Sequence, residues 1–184
     1  MHIMKLSKNN ILFIFLVFAN FQPTFAHDLS VNLIKNRLEK EAIANEVTKK
    51  NKNHEVDKDQ IVFISNYHKE FIIAPTISTA ETSGGCYLQT LNTEYKLETQ
   101  YLIEKNVDSQ SCDSVIAIFG CRLPQKNGIG IIVGMRLGSN NYYTQSSFFE
   151  LDEKNELKEN LLLSKKIGAV DSVTKAKKKL ACIK

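Results

Sequence analysis

No stretch of this chain is apolar for long enough to cross a bilayer. The longest, Ile11–Ala19, covers nine residues, against the roughly 18–20 that a spanning helix needs. An excess of one charge is also missing. Lys and Arg number 24 against 20 Asp and Glu, a formal net charge of +4. Loss of Lys5 and Lys8 with a leader would bring it to about +2, which argues against a nucleic-acid binder held by phosphate neutralisation. There is no Asn-x-Ser/Thr sequon, which points away from a glycosylated secretory route and toward bacterial export. H-E-x-x-H, C-x-x-C, G-x-S-x-G, the P-loop and G-x-G-x-x-G are absent too, so the common signatures of metalloproteases, redox dithiols, serine hydrolases and nucleotide binders are not found. No internal repeat is visible.

What is present starts with a leader. Lys5 and Lys8 form a positive segment, Ile11–Ala19 an apolar one, and Thr24-Phe25-Ala26 a small-x-small cleavage signal after Pro23, the plan of a secretory signal peptide. No cysteine lies near that point, so a lipid anchor there is not expected. Residues 1–26 are expected to be removed. Residues 27–184 then form a single domain beginning at His27, large enough to hold its own core.

The centre of that domain is Ser114 to Leu137. Val115–Leu123 and Ile129–Leu137 are rich in β-branched residues and flank Pro124-Gln125-Lys126-Asn127-Gly128, the pattern of a hairpin closed by Asn-Gly. Both runs are apolar at nearly every residue, so both are expected to be central strands covered on both faces. Upstream, Val31, Ile34, Leu38, Ala42, Ile43 and Val47 recur at helical spacing, predicting an amphipathic helix from Asp28 to Lys50. Thr48–Gln60 reads as a polar loop. Ile61–Ser65 and Phe71–Ala74 read as a hairpin, with Pro75 ending the second strand or placing it at an edge. Thr76–Gly85 reads as a surface loop, Cys86–Leu91 as a strand, and Tyr95–Ile103 as an alternating, half-buried strand. Tyr142–Leu151 and Glu156–Leu163 follow as strands, and Asp171–Ile183 as a capped helix. The fold class expected is α+β: a single antiparallel β-sheet of about six to eight strands, flanked by the N-terminal amphipathic helix and a short C-terminal helix.

An even number of cysteines in an exported chain implies disulfides, and Cys86, Cys112, Cys121 and Cys182 allow three pairings. If Cys112 and Cys121 end one extended strand they are roughly 30 Å apart, whereas a disulfide needs Cα atoms about 5.5 Å apart. A meander of strands 86–91, 95–103 and 114–123 would set Cys86 beside Cys112. That favours Cys86–Cys112 and Cys121–Cys182.

Few residues invite chemistry. Cys86, after Ser83-Gly84-Gly85, could act with His68 as base, but a disulfide role is favoured. His27, His54 and His68 are scattered, and no metal or cofactor is expected. A carboxylate pair for hydrolysis would be spatial and unreadable here. Lys175, Lys177, Lys178 and Lys179 spread around a helix and complement its C-terminal dipole. The remaining candidates are aromatic. Tyr142, Tyr143, Phe148 and Phe149 bracket a polar strand centre, and Tyr95 and Tyr101 share a strand face. Tyr95, Tyr101, Tyr142, Tyr143 and Phe148 are therefore the candidate binding surface, since tyrosine joins apolar area to a hydroxyl.

In general plan the chain resembles the small periplasmic immunity proteins and inhibitors that bacteria export against cell-wall-degrading enzymes. The likeness is one of plan, not of residues, so no site carries over. It implies a periplasmic or secreted non-enzymatic protein with a protein partner, either a toxin or a hydrolase, and no nucleic acid. A secreted hydrolase or an effector is the alternative.

Overall fold

The computed structural model describes residues 29–66, 69–79, 85–103, 112–124, 129–137, 143–151, 156–170 and 172–183. The expected leader, His68, Tyr142 and the Asn127-Gly128 turn lie outside them. The fold is mixed α+β with antiparallel pairing throughout, but it contains two sheets rather than one.

The first sheet holds β1 (Ser30–Leu33), β2 (His54–Val56), β3 (Val62–Ser65), β4 (Glu70–Ser78), β5 (Cys86–Leu91) and β6 (Leu97–Leu102). Its order is β1-β3-β4-β5-β6, with β2 beside the later part of β4. The second holds β7 (Cys112–Arg122), β8 (Ile129–Leu137), β9 (Tyr143–Leu151) and β10 (Leu157–Glu159), in the order β10-β9-β8-β7. Among the described residues there are three α-helices, α1 (Arg37–Lys50), α2 (Leu161–Ile167) and α3 (Val173–Leu180), and one 3-10 turn at Lys58–Gln60.

Strand alternation sorts the apolar residues into three layers. On β4, Phe71 and Ile73 face the second sheet while Ile72 and Ala74 face α1. The inner layer joins Val62, Ile64, Phe71, Ile73 and Leu88 to Ile131, Val133, Met135 and Phe149 across the two sheets. Ile43 and Val47 of α1 cover Ile61, Ile72 and Leu91 on one outer face. Ile167, Ala176 and Leu180 of α2 and α3 cover Ile132 and Phe148 on the other. The chain is thus helix, sheet, sheet, helices. Each fully buried Ile, Val or Phe contributes about 1.5–3 kcal/mol of transfer free energy, so the two-sided strands β4 and β8 hold much of the fold. Their sequences FIIA and IGIIVGM are continuous apolar runs for that reason.

Several expectations change. The first helix starts at Arg37, not Asp28, because Asn36 accepts hydrogen bonds from the N–H groups of Leu38 and Glu39 and caps it. The residues before it pair instead with β3, Val31 opposite Ile64. The helix is also only weakly amphipathic: Ile43, Ala44 and Val47 are buried, while Leu38 is 80% exposed. Of the central hairpin, β7 and β8 pair as expected, Cys121 opposite Gly130. β8 is covered on both faces, but β7 is the edge of its sheet and alternates buried Val115 with exposed Ile116. The polar stretch 48–60 contributes β2, Thr76–Ser78 belong to β4, and Leu161–Leu163 start α2 rather than a strand.

Pro75 neither ends β4 nor sits at an edge. It faces Leu88 of β5 on one side, and on the other its carbonyl accepts from the N–H of Asp57. Its ring nitrogen therefore points into the junction where β2 has ended and β3 has not begun. One ladder bond is lost there and the strand continues.

Cys86 is bonded to Cys112 with Cα atoms 5.5 Å apart, and Cys121 to Cys182 at 5.1 Å. The pairs are the favoured ones, but the expected meander is not their cause. Cys86–Cys112 staples the start of β5 to the start of β7, one sheet to the other, and Cys121–Cys182 ties the end of α3 to β7.

Candidate protein-binding groove

The two sheets end on the same side of the sandwich, at β6 and β10. Both are terminal strands with no further partner among the described residues. Between them lies a recess of about 400 Å³, lined by Gln100, Tyr101 and Leu102 from β6 and by Leu157, Lys158 and Glu159 from β10, with Phe149 and Leu161. A second recess of about 250 Å³ is lined by Lys69, Phe71, Thr90, Glu98, Thr99, Tyr101 and Glu156. Tyr101 lines both recesses and makes them one groove.

The groove follows from strand register. Leu88 pairs with Tyr101 and Thr90 with Thr99, so those side chains share the inward face. At an edge strand that face is only half covered, and Tyr101 packs against the inner core while remaining partly exposed. Leu161, which also lines the recess, is 41% exposed. Charges form the rim: Lys69 pairs with Glu98 at 2.8 Å, and Glu159 accepts from the Ser164 hydroxyl. An apolar floor with one tyrosine and a polar rim is suited to holding a protein segment. Two carboxylates, Glu98 and Glu156, also line the smaller recess.

The other sequence candidates are dispersed. Tyr95 precedes β6 at φ 63 and packs on the α1 side of its sheet, not on Tyr101's face. A bulge at Leu91 and Leu97 breaks the alternation that would have joined them. Burial and the neighbouring Glu39 carboxylate push the Tyr95 hydroxyl's pKa up. Phe148 is fully buried under α2 and α3 and offers no surface. Tyr143 opens β9 opposite Leu137, and Tyr142 is outside the described residues. Phe149, one of the aromatics bracketing the polar centre of β9, lines the groove with Tyr101, whereas Leu157 and Leu161, which line it too, carry no local signal in the sequence. They become a site only when two sheet edges align.

Catalytic alternatives lose ground in particular places. Cys86 is in a disulfide and has no thiolate, which removes the nucleophile from the Cys86–His68 pair. Ser172 and Lys175 have the Ser-x-x-Lys spacing of some nucleophilic serines, but both are exposed and the Ser172 hydroxyl caps α3, accepting from the Lys175 N–H at 3.3 Å. No group of three metal-ligating side chains occurs among the described residues. Lys177 lies 5.2 Å from the centre of the Phe119 ring, and Lys179 donates to the Ile167 carbonyl at 2.6 Å, so two lysines of the basic run serve packing and capping.

One polar cluster is buried under the sheet edge at β2. His54 Nδ1 lies 3.0 Å from the Thr76 hydroxyl, Gln89 donates to that same hydroxyl at 3.2 Å, and Asn51 donates to Gln89 at 3.3 Å. Gln89 Nε2, which can only donate, also lies 3.4 Å from His54 Nδ1; with the tautomer that leaves Nδ1 bare, the donors run in one direction, Asn51 to Gln89 to Thr76 to His54. The His54 ring also packs 4.6 Å from that of Tyr87, and burial pulls its pKa below the usual 6.5. The Thr76 hydroxyl at its centre is fully buried, and the cluster ties β2 to β4 and β5.

No family model matches the chain, and neither a curated protein nor a solved structure matches it.

Proposed function

We propose that the protein is an exported, non-enzymatic binding protein that holds a protein partner in the groove between β6 and β10. The observation that carries this reading is the groove itself: two sheet edges open on one side over an apolar floor with Tyr101 shared between both recesses. Two disulfides and an expected leader support action outside the cytoplasm. With the plan of the small exported inhibitors, they favour a cell-wall-acting toxin or hydrolase as the partner, and the role of an immunity protein or inhibitor. Affinity capture from a periplasmic extract tests it. The wild-type protein should retain one dominant protein and Tyr101→Ala should release it; recovery of small molecules alone overturns the proposal.

The second reading is a hydrolase using Glu98 and Glu156, the two carboxylates of the smaller recess. It requires that the purified protein degrade peptidoglycan and that Glu98→Gln abolish this.

A further inference from the structure

Resting on that docking reading, we propose that the partner enters the groove as an extended segment that adds a strand to β6, and that this segment is apolar with a basic residue among its side chains.

The direction of the β6 backbone supplies the argument. Ile103 N–H donates to the Cys86 carbonyl, 3.0 Å away, and the register pairs Leu88 with Tyr101 and Thr90 with Thr99. In an antiparallel pair alternate residues turn both backbone groups to the neighbour. Thr99, Tyr101 and Ile103 therefore turn theirs to β5, and Gln100 and Leu102 turn theirs outward. The outward groups flank Tyr101, whose side chain lies on the groove floor. An added strand would gain main-chain hydrogen bonds from Gln100 and Leu102 and lay alternate side chains into the recesses on either side of Tyr101.

A second copy of this chain suits the edge poorly. Thr90 pairs with Thr99 but Leu91 with Leu97, so Glu98 is the extra residue of a bulge and the straight edge is only Thr99 to Leu102. Another β6 would bring a second bulge and a second Glu98 to the same short edge, the usual protection against self-pairing. The rim favours a basic segment. Glu98, Glu156 and Glu159 outnumber Lys69 and Lys158 among the lining residues, which leaves the rim net negative.

The test uses amide hydrogen exchange followed by NMR on the isotope-labelled protein. The probe is a short synthetic peptide alternating valine with threonine and carrying one central lysine. At a peptide concentration ten times its Kd, exchange at Gln100 and Leu102 should slow about tenfold, with Thr99 and Tyr101 unchanged. Replacing the lysine by glutamate should weaken binding about two- to fivefold. Gln100→Pro removes one outward N–H that no described strand uses and should abolish the response at an unchanged melting temperature; Gln100→Ala should keep it. If Tyr101→Ala abolishes binding while Gln100→Pro leaves it intact, docking in the groove stands and strand addition falls. If neither variant alters binding, or the peptide slows neither amide, both fall. Protection of Gln100 and Leu102 in the protein alone, with the mass of a dimer, would make the occupant a second copy and overturn the partner proposed.

Discussion

His54 shows how one side chain sets a condition on the fold. Its Nδ1 must be bare to end the donor chain from Asn51 through Gln89 and Thr76, and burial lowers its pKa from 6.5. The unfolded chain therefore binds a proton at a pH where the folded one still refuses it. The contribution of neutral His54 is complete above about pH 6.5 and is lost as pH falls through the lower folded-state value. Urea unfolding at steps from neutral to mildly acidic pH should show stability declining below about 6.5, and His54→Gln should flatten that decline. An unchanged slope in the variant would assign the loss elsewhere. None of this cluster was legible in the sequence, where His54, Thr76 and Gln89 lie far apart in polar or short-strand contexts. The register that unites them, His54 opposite Ser78 and Ala74 opposite Gln89, is set by β2 and β5 pairing with β4. Tyr101 was legible as a candidate, because alternation along Tyr95–Ile103 marks a half-buried strand. Phe148 misleads for a physical reason: an aromatic in a strand reads alike whether its face meets water or a helix.

At the level of elements, what was readable was periodicity, and what was not was partnership. The hairpins β3–β4 and β7–β8 follow from apolar runs around short turns, and α3 from Ser172 before Val173, Ala176 and Leu180. The division into two sheets is not encoded in any strand, since β6 and β7 would read the same as neighbours in one sheet. α2 was read as a strand because Leu161-Leu162-Leu163 is a short apolar run, a pattern that periodicity alone cannot divide. Its local signal is Asn160, whose carbonyl oxygen accepts from Leu163 N–H at 3.1 Å and whose amide donates to Glu150 at 2.8 Å. That side chain both caps α2 and holds it to β9. Asn160→Ala should lower stability by about 1–2 kcal/mol, with Asn160→Ser recovering part of it. Equal stability of the alanine variant in chemical unfolding would contradict the capping role. Because Glu159 and Leu161 flank Asn160 and line the groove, the same variant should also weaken partner binding.

For the whole molecule, the disulfides decide how firmly the layers hold. Cys121–Cys182 closes 61 residues and Cys86–Cys112 closes 26. Loop entropy gives about 4 and about 3.5 kcal/mol respectively. For a domain of this size each kcal/mol moves the melting temperature by roughly 2–4 °C. Cys182→Ser should then lower it by about 8–16 °C and Cys86→Ser by slightly less, measured calorimetrically under non-reducing conditions. The reverse order would show that stapling sheet to sheet outweighs tying down α3. Mass-spectrometric mapping that found Cys112 bonded to Cys121 would contradict β7 as one extended strand. The same staple bears on function, since Cys86–Cys112 fixes the spacing of the two sheets whose edges frame the groove.

That groove is the central claim, and titration calorimetry of the captured partner tests it most directly. Tyr101→Ala should weaken binding at least about tenfold, the loss of a central tyrosine hot spot. Lys177→Ala, beside Phe119 on the opposite side of the sandwich, should leave the affinity unchanged. Unchanged affinity in Tyr101→Ala with a loss in Lys177→Ala would place the partner on the other face and contradict the account.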